Sequence, residues 1–398
     1  MGGKMARWRH VAALFIVGGL LAAGCGDDGK TTSAPATTGA VSVATTGASG
    51  PTTTAPLAPK SIRFTLATQV WSTDTSVYSS LPIALGYWKA ENLEVKLDGV
   101  AGGGAAVQLI QGGTTDVTIS GPDSSDWIPR SRGLDMQAFY NLVPKYFSYI
   151  GVPDDSPIKT YADLKGKSIG VSSLAQGSIA MTKAAIKQAG LDPEKDVKFV
   201  AIGTGAQAAT ALTTKKDVDV WGLWDAQYSI MENATGVKVR PIRADIEKTV
   251  DFAIPMSGRA SKIKEDPEPY IRLARGILKA TIYALANPEC AVKIHYETRP
   301  ETKPQGVTDE VALAQGVKVL KDRLANMDIR DLPGYPTRKW GETPAAGAQA
   351  YFDLIMKGSA SLGAEKFEVT DTYTNALIGS INNIDFKQIE ADAKACKR

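Results

Sequence analysis

Histidine and cysteine are scarce in this chain of 398 residues, which holds 2 of the first and 3 of the second. His10 falls in an N-terminal stretch that reads as a removable leader, so His295 would stand alone in the mature protein. One imidazole cannot build the His-rich sites of zinc or manganese carriers, and no metal is expected. Charge of one sign is also missing. The formal surplus of +3 is accounted for by Lys4, Arg7 and Arg9 in the leader, and the remainder is balanced. That excludes nucleic acid and a polybasic membrane surface as partners. The apolar run over 11–23 is well short of the ~20 residues needed to span a bilayer. No Gly-x-Ser-x-Gly elbow, Walker loop or His-Glu-x-x-His motif is present, and no cofactor is expected.

What is there begins with the leader. Basic residues precede the apolar run, which ends in Leu21-Ala22-Ala23-Gly24-Cys25. This resembles the lipobox of bacterial lipoproteins, in which the cysteine carries the acyl chains. It implies a signal peptide over 1–24, lipidation of Cys25 and an extracytoplasmic, membrane-anchored protein; ordinary cleavage nearby with Cys25 incidental is the alternative. Residues 25–60 are rich in Thr, Ser, Ala, Pro and Gly, with too little apolar surface to offset the entropy of ordering. They read as a disordered tether reaching on the order of 30 Å by random-coil scaling. The other cysteines, Cys290 and Cys396, either pair in an oxidising compartment or remain two free thiols.

From Ser61 the pattern is that of an α/β protein. "SIRFTLAT", "LEVKLDGV" and "TTDVTISG" read as strands, with helices expected over 76–92 and in "GGAAVQLIQGG". The same order restarts at Tyr161, with strands "KSIGVS", "VKFVAI" and "VDVWGLW" separated by helices in "GSIAMTKAAIKQAG" and "GAQAATALTTK". Two lobes follow: 61–147 with 253–398 as lobe I, and 148–252 as lobe II. The extended stretches 145–152 and 250–259 read as the two crossovers of a hinge, with the C-terminal helices returning to lobe I.

"IALGYWKAENLEVKL" (83–97) followed by "GGGAAVQLIQGGTTDVTISGP" (102–122) resembles the first lobe of the SsuA/THI5-like, or NMT1-like, solute-binding proteins of ABC importers. "YADLKGKSIGVSSLAQGS", "GLDPEKDVKFV" and "DVDVWGLWDAQY" agree with the second lobe, and "NPECAV" and "YTNALIGSINNID" with the C-terminal helices. The resemblance implies a periplasmic-binding-protein type II fold, a ligand between closing lobes, delivery to a membrane permease, and a monomer.

Independently of the resemblance, ligand crevices in open α/β sheets lie beyond the carboxyl ends of the strands, where helix N-termini attract anions. The candidate ligand-binding residues at such ends are Gln69, Gly103, Gly104, Ser120, Gly121, Gln176, Gly177, Ser178 and Thr204. Trp71, Trp127 and Trp224 are candidate walls for an organic group, whereas Trp221, inside an apolar strand, reads as core. Asp225 either accepts a hydrogen bond from an amine or orients backbone. Arg130, Arg132, Lys145 and Arg259 are candidate anion clamps, which Asp123 and Asp126 could instead neutralise in favour of a zwitterion or neutral solute.

The expected function is a non-enzymatic receptor for a small organic anion, a sulfonate or carboxylate. The alternatives are a receptor for a pyrimidine- or flavin-type vitamin precursor, a THI5-type pyrimidine-synthesis enzyme, and a lipoprotein presenting its solute to a membrane sensor. The cysteine-rich motif of the THI5-type enzyme is absent, and His295 falls in a helical stretch away from strand ends.

Overall fold

The computed structural model describes residues 57–174, 176–357 and 366–398. The leader, Cys25 and nearly all of the tether lie outside the described residues. Strand β1 (Lys60–Leu66) alternates Ile62, Phe64 and Leu66 into the core. After it come short helices α1 (Ser80–Ala84) and α2 (Tyr87–Ala90), strand β2 (Leu93–Gly99), helix α3 (Gly103–Gln111), strand β3 (Val117–Ile119), helix α4 (Ile128–Ser131) and strand β4 (Met136–Lys145). The helix expected over 76–92 is therefore broken. Pro82 has no N–H to continue the ladder, and Gly86 takes φ +67°, the left-handed conformation that ends a helical turn.

The second series runs β5 (Ser148–Pro153), β6 (Lys167–Val171), α5 (Ile179–Gln188), β7 (Val197–Ala201), α6 (Gly205–Thr213), β8 (Val220–Trp224), α7 (Asp225–Thr235) and β9 (Val239–Ile242). Strand β10 (Asp251–Arg259) returns, followed by α8 (Ala260–Glu265), α9 (Glu268–Ala286), α10 (Pro288–Thr298), α11 (Asp309–Met327), α12 (Ala345–Phe352), α13 (Ile378–Ile381) and α14 (Phe386–Lys394).

Two five-stranded sheets result, in the orders β2-β1-β3-β10-β4 and β7-β6-β8-β5-β9. Within each, the βαβ strands are parallel and one strand is inserted antiparallel: β10 between β3 and β4, β5 between β8 and β9. The chain leaves the first sheet through Tyr146 and Phe147 and comes back over 243–250, giving two lobes joined by a two-crossover hinge. Edge strand β2 shows Glu94, Lys96 and Asp98 outward, charges that discourage pairing with another sheet.

The C-terminal helices pack on the first sheet. Leu273, Ile277 and Tyr283 of α9, Ile294 of α10, and Leu320 and Leu324 of α11 join Phe64, Phe139 and Met256 in one apolar core. A disulfide between Cys290 of α10 and Cys396, just beyond α14, ties the tail to this body. Among the described residues no helix is long and apolar enough to cross a membrane.

Candidate functional site

A cavity of about 340 Å³ lies between the lobes beside the hinge. Lobe I contributes the loop after β1 with Gln69, the start of α3 with Gly102 and Gly103, and the end of β3 with Ser120, Gly121 and Asp123. Across from them, lobe II supplies Gln176, Gly177 and Ser178 before α5, Thr204 before α6, and Trp224 and Gln227 around the start of α7. Tyr146, Phe147 and Ser148 of the first crossover form one wall, and Arg323 of α11 and Tyr351 of α12 complete it.

Nine of the thirteen ligand-binding candidates are thus brought together, Gln69, Gly103, Ser120, Gly121, Gln176, Gly177, Ser178, Thr204 and Trp224, and Asp123 joins them. The local structure explains their positions. Gly103 permits the close approach of α3 to β3, since a Cβ there would sit 2.1 Å from Ser120 Oγ. Gln176 braces its loop: its Oε1 accepts from Ser172 N at 2.8 Å, and its Nε2 donates to Gly222 O at 2.9 Å.

Four others lie outside the lining. Trp71 is half-buried on lobe I, with the Arg299 guanidinium 4.4 Å above its ring. Gly104 faces outward, because the helical turn that brings Gly103 to the cavity carries its neighbour away. Trp127 is fully buried, donates Nε1 to Thr372 Oγ1 at 3.2 Å and packs edge-on behind Tyr351. Asp225 sits behind the wall and grips Arg323, with Nη2 to Oδ1 at 2.7 Å. Trp221 is core, with Nε1 on Ala208 O at 2.8 Å.

The arginine and lysine candidates do not reach the cavity either. Arg130 donates to Met136 O at 2.9 Å, Lys145 pairs with Asp331 at 2.6 Å, and Arg259 holds Ile110 O at 2.9 Å; Arg132 is likewise absent from the lining. Each of the three serves nearby backbone or a surface partner. Among the described residues the basic side chain that does line it is Arg323. Besides Asp225, Arg323 meets Asp74 at 3.4 Å and lies 4.7 Å from the Phe147 ring centroid. Its guanidinium is therefore already neutralised from both lobes. A signal for it existed in the sequence: Ala312, Gly316, Val319, Leu320, Leu324 and Met327 form the buried stripe of α11, and Arg323 interrupts that stripe.

The helix starts differ in what they leave available. At α6, Gly205 N–H donates to Gln227 Oε1 at 3.0 Å, and at α7 the Ala226 N–H is taken by Asp225 Oδ1 at 2.7 Å. Helices α3 and α5 have neither a capping side chain nor an acidic residue in the first turn, although the Ile179 N–H that opens α5 donates to Gln176 O at 3.2 Å, and their starts border the cavity from opposite lobes. Burial pushes the Asp123 carboxyl up to about 6. The neighbouring Asp126, held by Ser125 and Ser257 hydroxyls, is pushed up to about 7 by the same cause. Asp126 does not line the cavity.

The model of the family described as NMT1/THI5 like matches residues 81–291. The chain belongs to the NMT1/THI5-like family. A Brucella abortus (strain 2308) relative named as a binding protein is 25% identical over 234 residues, 58% of this chain and 70% of that protein. An Escherichia coli K12 relative named as an aliphatic sulfonates-binding protein is 29% identical over 211 residues, 48% of this chain and 64% of its own. The fold of this NMT1/THI5-like chain is the generic one of periplasmic binding proteins. A solved structure from Bordetella bronchiseptica RB50 aligns at TM-score 0.62 and 19% identity, covering 81% of this chain and 96% of that one.

Proposed function

We propose that this protein is the extracytoplasmic solute receptor of an ABC importer and captures a small organic solute bearing a sulfonate or carboxylate. One observation carries the reading: two uncapped helix starts, those of α3 and α5, border one cavity from opposite lobes. Their remaining first-turn N–H groups and positive dipole ends favour an anion held jointly by both lobes, so binding and closure are coupled. The hinge permits that closure, and the closed form is what the permease would recognise. Trp224, Phe147, Tyr146 and Tyr351 give the cavity an aromatic wall suited to the organic part of the solute. The E. coli relative named for aliphatic sulfonates supports the anionic class. Lipidation of Cys25 would keep the receptor, acting as a monomer, at the membrane beside its permease.

No covalent step is part of the proposal. His295 is fully buried, its ring nitrogens against Ser80 Oγ at 2.7 Å and Thr302 Oγ1 at 2.9 Å, and burial lowers its pKa to about 4. That is a structural histidine rather than a base facing the cavity.

The aromatic wall also favours a second reading, a flat vitamin precursor. Mass spectrometry of solute retained through purification separates the two, since an acidic solute supports the first and an uncharged pyrimidine or a flavin the second. A thermal-shift panel tests the first more broadly: a solute at 100 times its dissociation constant should add ~2.7 kcal/mol. A flat response to every sulfonate and carboxylate would overturn it.

A further inference from the structure

Away from the cavity the lobes meet along a polar seam between α7 of lobe II and α11 of lobe I, and α11 lies beyond the 81–291 stretch that matches the family model. The two helix faces are complementary. Lys318 Nζ reaches Glu232 at 3.1 Å and donates to Ser229 Oγ, which in turn donates to Asp322. Glu232 is preset for this contact: its Oε1 accepts from Val239 N–H at 2.8 Å, which leaves Oε2 for the ammonium. Deeper in the seam, Asn326 Nδ2 donates to Asp225 at 2.9 Å beside the buried Arg323–Asp225 pair. Every partner in the seam is a protein group, and neither Lys318 nor Glu232 lines the cavity.

The segment that follows grips the hinge itself. Lys145, the last residue of β4, donates to Ala325 O at 2.9 Å and pairs with Asp331 at 2.6 Å. Asp251, the first residue of β10, is held by both Arg338 Nη atoms at 2.6 and 2.7 Å. Lys145 and Asp251 stand opposite each other in the β4–β10 register, so one stretch of chain pins both crossovers where they join lobe I. Tyr146, Phe147 and residues 243–250 are left to bend. Because α11 is fixed to the lobe I side of that bend, opening moves α7 against it, at the expense of contacts whose geometry is set on both sides.

We infer that α11 is a latch: its polar contacts with α7 hold the lobes together before solute arrives, and Lys318, remote from the cavity, sets the balance between open and closed forms. This goes beyond the receptor reading and does not depend on which solute the cavity takes. The magnitudes suit tuning rather than permanent locking. Lys318 is half-exposed, a setting in which losing one ion pair shifts an equilibrium by up to about fivefold. Reversing its charge adds repulsion from Glu232 and Asp322.

The test is double electron–electron resonance on the full chain, dialysed free of solute, with nitroxides on ketone side chains introduced at positions 96 and 198. These exposed positions lie on β2 and β7, the edge strands farthest in each sheet from those the crossovers join, where opening is amplified most. The chain with native Lys318 should show mainly the separation of the present arrangement, and Lys318→Arg, which keeps the charge, should match it. In Lys318→Met the ratio of closed to open forms should fall by up to about fivefold, and in Lys318→Glu further. A native chain found mainly at longer separations overturns the inference. So does a distribution that Lys318→Glu leaves unchanged. Should Lys318→Glu fold poorly, the native chain and Lys318→Met decide between the same two results.

Discussion

Single residues decide both the cavity and its cost. Arg323 is buried on an otherwise apolar helix face because Asp225 and Asp74 meet it from two sides. Arg323→Met should destabilise the fold by about 3–5 kcal/mol in urea unfolding, because it strands buried carboxylates without their cation. Asp126 and Glu247 carry the opposite liability, both raised by burial to about 7. Since these groups hold protons in the folded chain that the unfolded chain releases, the stability they contribute is present in acid and lost as pH rises through 7. His295, lowered to about 4, acts in the other sense, but only below its ordinary value near 6.5. Melting temperature should therefore fall from pH 6.5 to 8, and Asp126→Asn should flatten the decline, which amounts to at most about 1.4 kcal/mol per pH unit for each group. At this scale the sequence was partly legible. Glycines and serines at strand ends could be placed because a βα turn leaves them little choice. Trp71, Trp127 and Asp225 could not, since whether a side chain points into a cleft or into packing depends on a fraction of a helical turn.

Elements were easier to read than side chains. Strands with alternating or wholly apolar patterns, and the helices between them, follow from periodicity alone; the break within 76–92 needed the combined effect of Pro82 and Gly86. The pairing of Cys290 with Cys396 needed the structure, because residues 106 apart reveal nothing of proximity until α10 and α14 pack on α9. Replacing both cysteines with serine should cost about 2–5 kcal/mol and release the α14 tail first, visible as faster amide exchange over Phe386–Lys394 than over α9.

For the whole molecule, the lobes meet not only around the cavity but also along α7 and α11. Asp225 and Glu232 of α7 face Arg323 and Lys318 of α11, with Asn326 Nδ2 on Asp225 at 2.9 Å. These groups belong to opposite lobes, so their pairing favours the arrangement in which both lobes line the cavity. Its central feature remains the two uncapped helix starts. Ser178→Asp tests that feature most directly, since an aspartate at the head of α5 is compatible with the helix but occupies the anion's place with charge of the same sign. Thermal-shift titration of both proteins with the best-binding sulfonate or carboxylate should show a rise in the wild type and about tenfold weaker binding or none in a variant of unchanged or higher melting temperature. An equal rise in both proteins would contradict the account.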